Sequence, residues 1–453
     1  MGHMEIRLPD KVKRIIDTLT AAGFEAYAVG GCVRDSILGR VPNDWDITTS
    51  AKPEETKRLF PRTIDTGIQH GTVTVLLDRE GFEVTTYRID GEYEDSRHPK
   101  EVTFTACLEE DLKRRDFTIN AMAYNETDGL VDIFGGTEDI ERETIRCVGD
   151  ARERFSEDAL RMLRAVRFSA QLGYQIEERT RKAIQELAPT LQKISAERIQ
   201  VELVKLVTSP HPDYLRVAYE TGITREILPE FDLCMETPQN NPHHCYNVGE
   251  HVLHAMLETE PDKILRLGML FHDIGKPQTL TIDEKGITHN KNHPVVGEEM
   301  TRQIMHRLKF DNDTIYKVSK IVRFHDQQIE LTQAGVRKAV NRMGEDIFPL
   351  MFPVHYADIC AQSDYQREEK LQKLRRLREI YDEICKSGDA VSLKGLAVNG
   401  SDLIALGMKP GRGIGELLGT MLEAVLEDPS LNSREELLRF AKRHMAEGAG
   451  RAQ

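Results

Sequence analysis

The sequence predicts an α+β chain: a mixed β-sheet with helices in residues 1–145, followed by helices to the end. Three observations carry this. Two short runs of alternating character, GTVTVLL (71–77) and FEVTTYR (82–88), flank a turn at Arg79 to Gly81, the pattern of paired half-buried strands. From Glu157 onward apolar residues recur instead at helical spacing, and Gly173 ends the first such run. A chain of 453 residues is also too long for one core. The expected division is a sheet-bearing head (1–145), a helical neck (146–235), a second helical domain (236–370) and a helical tail (371–453).

Taken in order, the chain opens with a helix from Leu8 to Ala22, with Val12, Ile15, Ile16 and Leu19 on one stripe. Strands follow at Ala26–Val29 and Asp44–Thr48, a short helix at Pro53–Phe60, and then the hairpin. Ile89 to Pro99 holds a Gly, a Pro and charges of both signs without periodicity, which is loop chemistry. LKRRDFTINAMAY (112–124) begins as a basic cluster and is expected to continue as a helix with Ile119, Met122 and Ala123 inward. VDIFGGTEDI (131–140) closes the head with a strand and a Gly-Gly turn. The helix Glu157–Leu172 sets Asp158, Arg161 and Ala165 on one face, opposite Ala159, Leu163, Val166 and Ala170. Two further helices lie between Glu177 and Val207. Pro210 and Pro212 break the pattern before Tyr214 to Leu228, and PEFDLCMETPQNNP (229–242) forms a junction. A charged helix from Gln366 to Lys386 precedes a tail with glycine turns and an amphipathic helix.

Chemistry concentrates between Ala28 and Ile47. A strand through Asp44 and Asp46 projects both carboxylates to one face, where they repel unless a cation joins them. Hard oxygen ligands suit Mg²⁺, which is commonly held by one or two carboxylates plus substrate phosphates. Just upstream, Gly30 and Gly31 lack side chains where a backbone approaches phosphate oxygens, and Arg34 supplies a charge-assisted donor. The segment is a candidate nucleoside triphosphate site.

GGCVRD (30–35) followed by NDWD (43–46) resembles the head signature of nucleotidyltransferases of the DNA polymerase β superfamily. More narrowly, it is similar to that of class II tRNA nucleotidyltransferases, the CCA-adding enzymes. RRDFTINAMA (114–123), EDALRMLRAVRF (157–168) and ISAERI (194–199) match that family's later motifs in order. The resemblance implies a polymerase-β-like head holding Mg²⁺ on Asp44 and Asp46, with Glu83 as a third carboxylate. It also implies nucleotide contacts from Gly30, Gly31, Arg34, Arg115, Asp116, Asn120, Asp158, Arg161 and Arg164, and it equates the Ile89–Pro99 loop with the family's flexible loop.

A carboxylate beside a guanidinium suits cytosine and adenine, which each present an amino donor next to a ring-nitrogen acceptor. The same pair leaves polar groups unmatched against uracil and guanine. By spacing alone Asp158 and Arg161 read as an ordinary i,i+3 salt bridge. The family motif assigns them to base choice.

A second pattern follows: His251, then LFHDIGKP with His272 and Asp273, then His293, His325 and, in HYADICAQSD, Asp358. It resembles an HD-type phosphohydrolase domain, which implies a divalent transition metal on His251, His272, Asp273 and Asp358, with His293 and His325 as second-site ligands. Such domains also persist as helical scaffolds.

Composition narrows the classes. No apolar run approaches a membrane span and no signal peptide opens the chain, so a cytoplasmic protein without membrane contact is expected. Seven cysteines without Cys-x-x-Cys spacing argue against structural zinc and disulfides. The net charge of −14 disfavours nucleic acid as a partner. Charge is local, however: Asp150 to Lys205 carries eleven basic against nine acidic residues. The reading that results is template-independent addition of C, C and A to tRNA from CTP and ATP, with a poly(A) polymerase or a CC- or A-only enzyme as alternatives. From another class, the alternative is an HD phosphohydrolase with a non-catalytic nucleotide-binding head.

Overall fold

A computed structural model describes residues 5–90 and 102–450. The expected loop tip from residue 91 to Pro99 lies outside the described residues. The chain divides into two compact units, Met1–Asp232 and Leu233–Gln453.

The first unit is built on a seven-stranded mixed sheet. Helix α1 (Asp10–Ala21) buries Val12, Ile15, Ile16 and Leu19, as the stripe predicts. It leads into β1 (Ala26–Val29), α2 (Gly31–Ile37), β2 (Ile47–Thr49), α3 (Pro53–Leu59) and β3 (Thr63–Gly67). The hairpin β4 (Thr72–Leu77) and β5 (Glu80–Thr86) turns at Asp78 and Arg79, both at positive φ. Arg88–Asp90 (β6) and Val102–Phe104 (β7) form a separate antiparallel ribbon at the base of the loop. Helix α4 (Leu108–Lys113) precedes β8 (Ala123–Asn125) and β9 (Gly129–Val131), and the sheet order is β3-β4-β5-β2-β1-β8-β9. Central strand β1 is buried at every position.

Three expectations are corrected. The sheet ladder of β2 begins at Ile47, so Asp44 and Asp46 lie in the segment just before it rather than within a strand. RRDFTINAMAY is not a helix. The Asp116 carboxylate accepts from the Phe117 backbone N–H, a 3₁₀ turn covers Thr118–Asn120, and Ala123 enters the sheet beside Val29. The helix expected from Glu157 starts later: after α5 (Gly136–Glu141), helix α6 (Ala151–Glu157) ends at that residue, and α7 runs Leu160–Leu172. Asp158 sits between α6 and α7 in extended backbone (φ −143°, ψ 103°). Ala165, on the face expected to be shared with Asp158 and Arg161, is fully buried. Helices α8 (Glu178–Leu187) and α9 (Ala196–Val207) follow, with α9 packed on α7 through Ile199, Leu203 and Leu206.

The second unit is helical. Helices Val248–Leu257, Lys263–Phe271, His293–Arg307, Asn312–Phe324 and Met351–Ala361 pack together, and a small hairpin joins Thr281–Ile282 to Thr288–His289. The 21-residue helix Arg367–Ser387 precedes a separate tail core around Leu403, Leu417, Met421, Val425 and Leu437.

Candidate active site and a second ligand cluster

Asp44, Asp46 and Glu83 are electrostatic neighbours at one end of the interior strands β2 and β5. β2 runs parallel to β5 with Ile47 beside Val84, and one further step of that register sets Asp46 beside Glu83. The Val29 N–H bonds the Asp46 carbonyl at 2.9 Å, holding that segment against β1. Asp44 and Asp46 are exposed. Partial desolvation raises the carboxyl pKa of Asp46, Arg115 opposes the shift and Asp44 adds to it. Glu83 is raised by desolvation and by both aspartates. Asp46 and Glu83, both raised, together with the neighbouring Asp44 carboxylate fit a hard divalent cation, which would relieve the repulsion.

The glycines have distinct roles. Gly30 has φ +83°, and a Cβ there would stand 3.2 Å from Arg115 Nη1, so a side chain would be strained and would crowd that guanidinium. Gly31 begins α2. Arg34, buried on α2, donates to Asn120 Oδ1 at 2.6 Å, and Asn120 donates to Asp116 Oδ1 at 3.4 Å. Asp116 Oδ2 accepts from Arg164 at 2.6 and 2.8 Å. Burial alone would raise Asp116, but Arg164 and Arg161 hold it down at about 2. Arg164 approaches Glu202 at 3.7 Å, and Glu202 pairs with Arg167 at 2.8 Å. The guanidiniums of Arg34, Arg164 and Arg167 lie over the Phe168 ring at 5.3, 5.3 and 3.8 Å. One polar chain thus runs from the glycine turn into the neck helix α7.

Asp158 and Arg161, the candidates for base reading, are arranged differently from the spacing argument. Asp158 accepts both arms of Arg198 at 2.7 and 3.2 Å and caps α7 through the Leu160 N–H. Arg161 instead donates to Glu157 at 2.6 Å and to the Arg114 carbonyl at 3.1 Å. Each member therefore has its own partner, and the expected i,i+3 pair is not formed. Arg198 and Glu202 carried no predicted role, because their partners lie 40 and about 35 residues upstream in sequence, beyond any local spacing rule. Asp111 was missed as well. It is fully buried and accepts from Thr48 at 3.0 Å and from Arg114 at 3.0 Å, with Arg115 at 3.6 Å.

In the second unit all six predicted residues come together. His251 Nε2 lies 3.1 Å from His272 Nε2 and 2.9 Å from Asp358 Oδ1. Asp273 Oδ2 is 3.3 Å from His272 Nε2 and 3.6 Å from His251 Nε2. Its other oxygen, Oδ1, is 3.4 Å from His293 Nε2 and 3.5 Å from His325 Nε2, and these two ring nitrogens are 3.2 Å apart. Asp273 therefore bridges two ligand groups. Each imidazole has its Nδ1 against a backbone carbonyl, of Ala361, Met269, Asn290 and Val322 respectively. With Nδ1–H donating to a carbonyl, the neutral ring turns an unprotonated Nε2 inward, the orientation of a metal ligand. Burial lowers the His272 pKa, but Asp273 and Asp358 outweigh it and raise it, the same carboxylates that would favour a bound cation. Lys276, three residues after Asp273, reaches Asp273 Oδ2 at 2.8 Å. Its place in LFHDIGKP was the readable signal for it.

Comparison with known proteins decides the family. Residues 26–146 match the model "Poly A polymerase head domain", residues 173–235 match "Probable RNA and SrmB- binding site of polymerase A", and residues 294–441 match tRNA nucleotidyltransferase domain 2. The CCA-adding enzyme of Enterococcus faecalis is 36% identical over 97% of this chain and 98% of its own length. The chain belongs to the CCA-adding enzyme family. The Lactiplantibacillus plantarum member is 38% identical over 95% of both chains, and that of Geobacillus kaustophilus is 54% identical over 46% of this chain. Among solved structures, the Bacillus stearothermophilus CCA-adding enzyme in complex with CTP aligns with a TM-score of 0.72 at 31% identity, covering 96% of this chain and 98% of that one. The tRNA-bound Thermotoga maritima enzyme, at 20% identity and a TM-score of 0.55, shares the fold. A divalent metal accords with this family and with the acidic group. No helix among the described residues is long and apolar enough to cross a membrane.

Proposed function

We infer that the chain adds C, C and A in turn to the 3′ end of tRNA, taking CMP and AMP from CTP and ATP without a template and releasing pyrophosphate. The observation that carries this is the joining of the three-carboxylate group to the Gly30-Gly31 turn and the Arg34–Asn120–Asp116–Arg164 chain, in a protein aligned end to end with CCA-adding enzymes. Asp44, Asp46 and Glu83 would hold Mg²⁺, which supplies Lewis acidity toward the tRNA 3′-hydroxyl and the departing pyrophosphate. The open turn and Arg34 admit the triphosphate, Arg115 supplies a half-buried cation beside Asp46, and Asp116 and Asn120 orient Arg34 and Arg164. Asp158 and Arg161 face the base once it replaces their present partners, Arg198 and Glu157. The finer division into head, neck, second helical domain and tail, the tail's contact with tRNA, and a cytoplasmic location belong to the same proposal.

The test supplies tRNA lacking its last three nucleotides with each labelled triphosphate in turn. Two CMP additions followed by one AMP are expected. Repeated AMP addition would make the chain a poly(A) polymerase, and use of one triphosphate alone would make it a partial enzyme.

A second reading rests on a separate observation, the bridging position of Asp273. Four imidazoles fixed by backbone carbonyls, with the buried Asp273 and half-buried Asp358 carboxylates, suit a pair of divalent transition metals, the ligand set of an HD-type phosphohydrolase. His251, His272, Asp273 and Asp358 would hold one ion, and Asp273, His293 and His325 the other.

A further inference from the structure

Asp111 is a buried acid to which the nucleotidyl-transfer chemistry gives no part. It lies on α4 beside Leu112, which packs with Tyr27, Val29, Tyr87 and Ala123 in the core of the head. Burial alone would raise its carboxyl, but Arg114 and Arg115 outweigh the burial and lower it. Asp111 is therefore a buried anion. Withdrawing such a charge from water is costly unless it is paired and hydrogen-bonded, and its partners come from three segments around the nucleotide site.

Those partners divide between its two oxygens. Oδ1 accepts from Arg114 Nε at 3.0 Å and from the Arg88 backbone N–H, at the start of β6, at 3.3 Å. Oδ2 accepts from the Thr48 hydroxyl at 3.0 Å and faces Arg115 Nη2 at 3.6 Å. Thr48 is on β2, two residues after Asp46. One carboxylate thus fixes Arg115 relative to the strand that follows the acids.

Arg115 is the member of this set whose hydrogen bonding is incomplete. Its Nη1 would stand 3.2 Å from a Cβ at Gly30, so the guanidinium lies against the glycine turn, and Asp46 attracts it. Its Nε is buried and has no hydrogen-bond partner among the described residues. A guanidinium carries its N–H donors in a rigid fork, and a fork with an unused donor beside a turn without side chains suits phosphate oxygens. An arginine side chain has many rotamers. A buried carboxylate at Nη2 selects the one that sets the fork against the turn.

We propose that Asp111 is a positioning residue for the nucleotide: it holds the Arg115 guanidinium against the Gly30 turn, beside Asp46, where the triphosphate shared by CTP and ATP enters. The proposal rests on the reading of the head as a nucleotidyl-transfer site. It gives Asp111 no contact with substrate, and it makes every effect of Asp111 pass through Arg115.

The experiment measures initial rates with the full chain, using CTP on tRNA lacking its last three nucleotides and ATP on tRNA lacking only its last. Asp111→Asn keeps the shape, and the Thr48 hydroxyl can turn from donor to acceptor, so the change removes the charge that holds Arg115. It is expected to raise KM for CTP and for ATP alike by about tenfold, with kcat changed by less than about threefold, as for a group that binds ground and transition states equally. Arg115→Gln is expected to raise both KM values at least as much, and the double variant to be no worse than Arg115→Gln alone. Losses that add in the double variant, a fall in kcat at unchanged KM, or a loss confined to one nucleotide would overturn the inference. Two controls do not depend on Asp111→Asn folding, which the thermal transition of Trp45 fluorescence reports. Arg115→Gln with unchanged KM values would overturn the inference, and so would Arg114→Gln that reproduces the rise, since Asp111 would then act through Arg114. Absence of CMP incorporation by the unaltered protein would overturn the nucleotidyl-transfer reading itself.

Discussion

The two acidic sites of this chain solve the same electrostatic problem in opposite ways. In the head, Asp44 and Asp46 stand exposed on a segment outside the sheet ladder, and Arg115 offsets only part of what burial and Asp44 do to Asp46. In the second unit, Asp273 is buried, surrounded by four imidazoles and a lysine, and every imidazole is anchored from behind by a carbonyl. An open set of acids of this kind would complete its coordination with substrate phosphates, so a metal held there would exchange readily with solvent. A closed set of oriented imidazoles needs no substrate to bind metal. The first architecture suits turnover, and the second suits a resident ion.

The largest expected effect breaks the open site. Asp44→Ala or Asp46→Ala should lower CMP incorporation on the order of 10³-fold or more, since no other group occupies the ligand position. Thermal stability and tRNA affinity should stay near those of the unaltered protein, because both side chains are exposed. Retained incorporation in either variant would dissolve the contrast, since the head would then not depend on its acids.

A smaller effect separates the sites by residence. Passing the protein through a desalting column without chelator should strip Mg²⁺ from the head and stop incorporation until Mg²⁺ returns, while elemental analysis still finds transition metal in the second unit. Adding chelator should then lower the melting temperature of that unit, because a ligand at a hundredfold excess over its Kd stabilises the folded state by about 2.7 kcal/mol. Trp45, the one tryptophan, lies in the first unit, so this second transition should be seen by calorimetry and not by tryptophan fluorescence. Equal loss of metal from both sites on desalting would show the buried cluster to be a hydrogen-bonded core.

The contrast also explains which parts were legible in the sequence. The hairpin β4–β5 and helix α1 follow from local alternation and periodicity, and both formed as expected. The His and Asp residues of the second unit were found by type and motif, but the carbonyls behind them belong to the backbone and leave no trace in residue identity. The break at Asp158 was hidden for a different reason. Ala159, Leu163, Val166 and Ala170 continue a helical stripe across it, whereas the extended backbone at Asp158 is stabilised by Arg198 from another helix and by capping of α7. The helix expected after Arg115 failed similarly: the sheet edge at Val29 recruited Ala123, and tertiary pairing overrode propensity.

The smallest effect concerns acid stability, and it tests whether the head's polar chain holds the fold as well as the nucleotide. Asp116 is buried, and despite the burial its carboxyl is held at about 2 by Arg164 and Arg161, below the ordinary 3.8. As pH falls, the unfolded chain takes up this proton before the folded one. The pairing therefore stabilises the fold fully above about pH 4, and that stabilisation drains away as pH falls toward 2. The shift corresponds to about 2 kcal/mol. Asp116→Asn keeps the shape and removes the charge, so it should lower the urea midpoint of the Trp45 signal at pH 7, with the difference from the unaltered protein shrinking between pH 4 and pH 3. A difference that stays constant over that interval would mean that the lost hydrogen-bond geometry, and not the Asp116–Arg164 charge pair, ties α7 to the head. Calorimetry of the second unit in the same variant should show no change, since its acids answer to imidazoles that Asp116 does not touch.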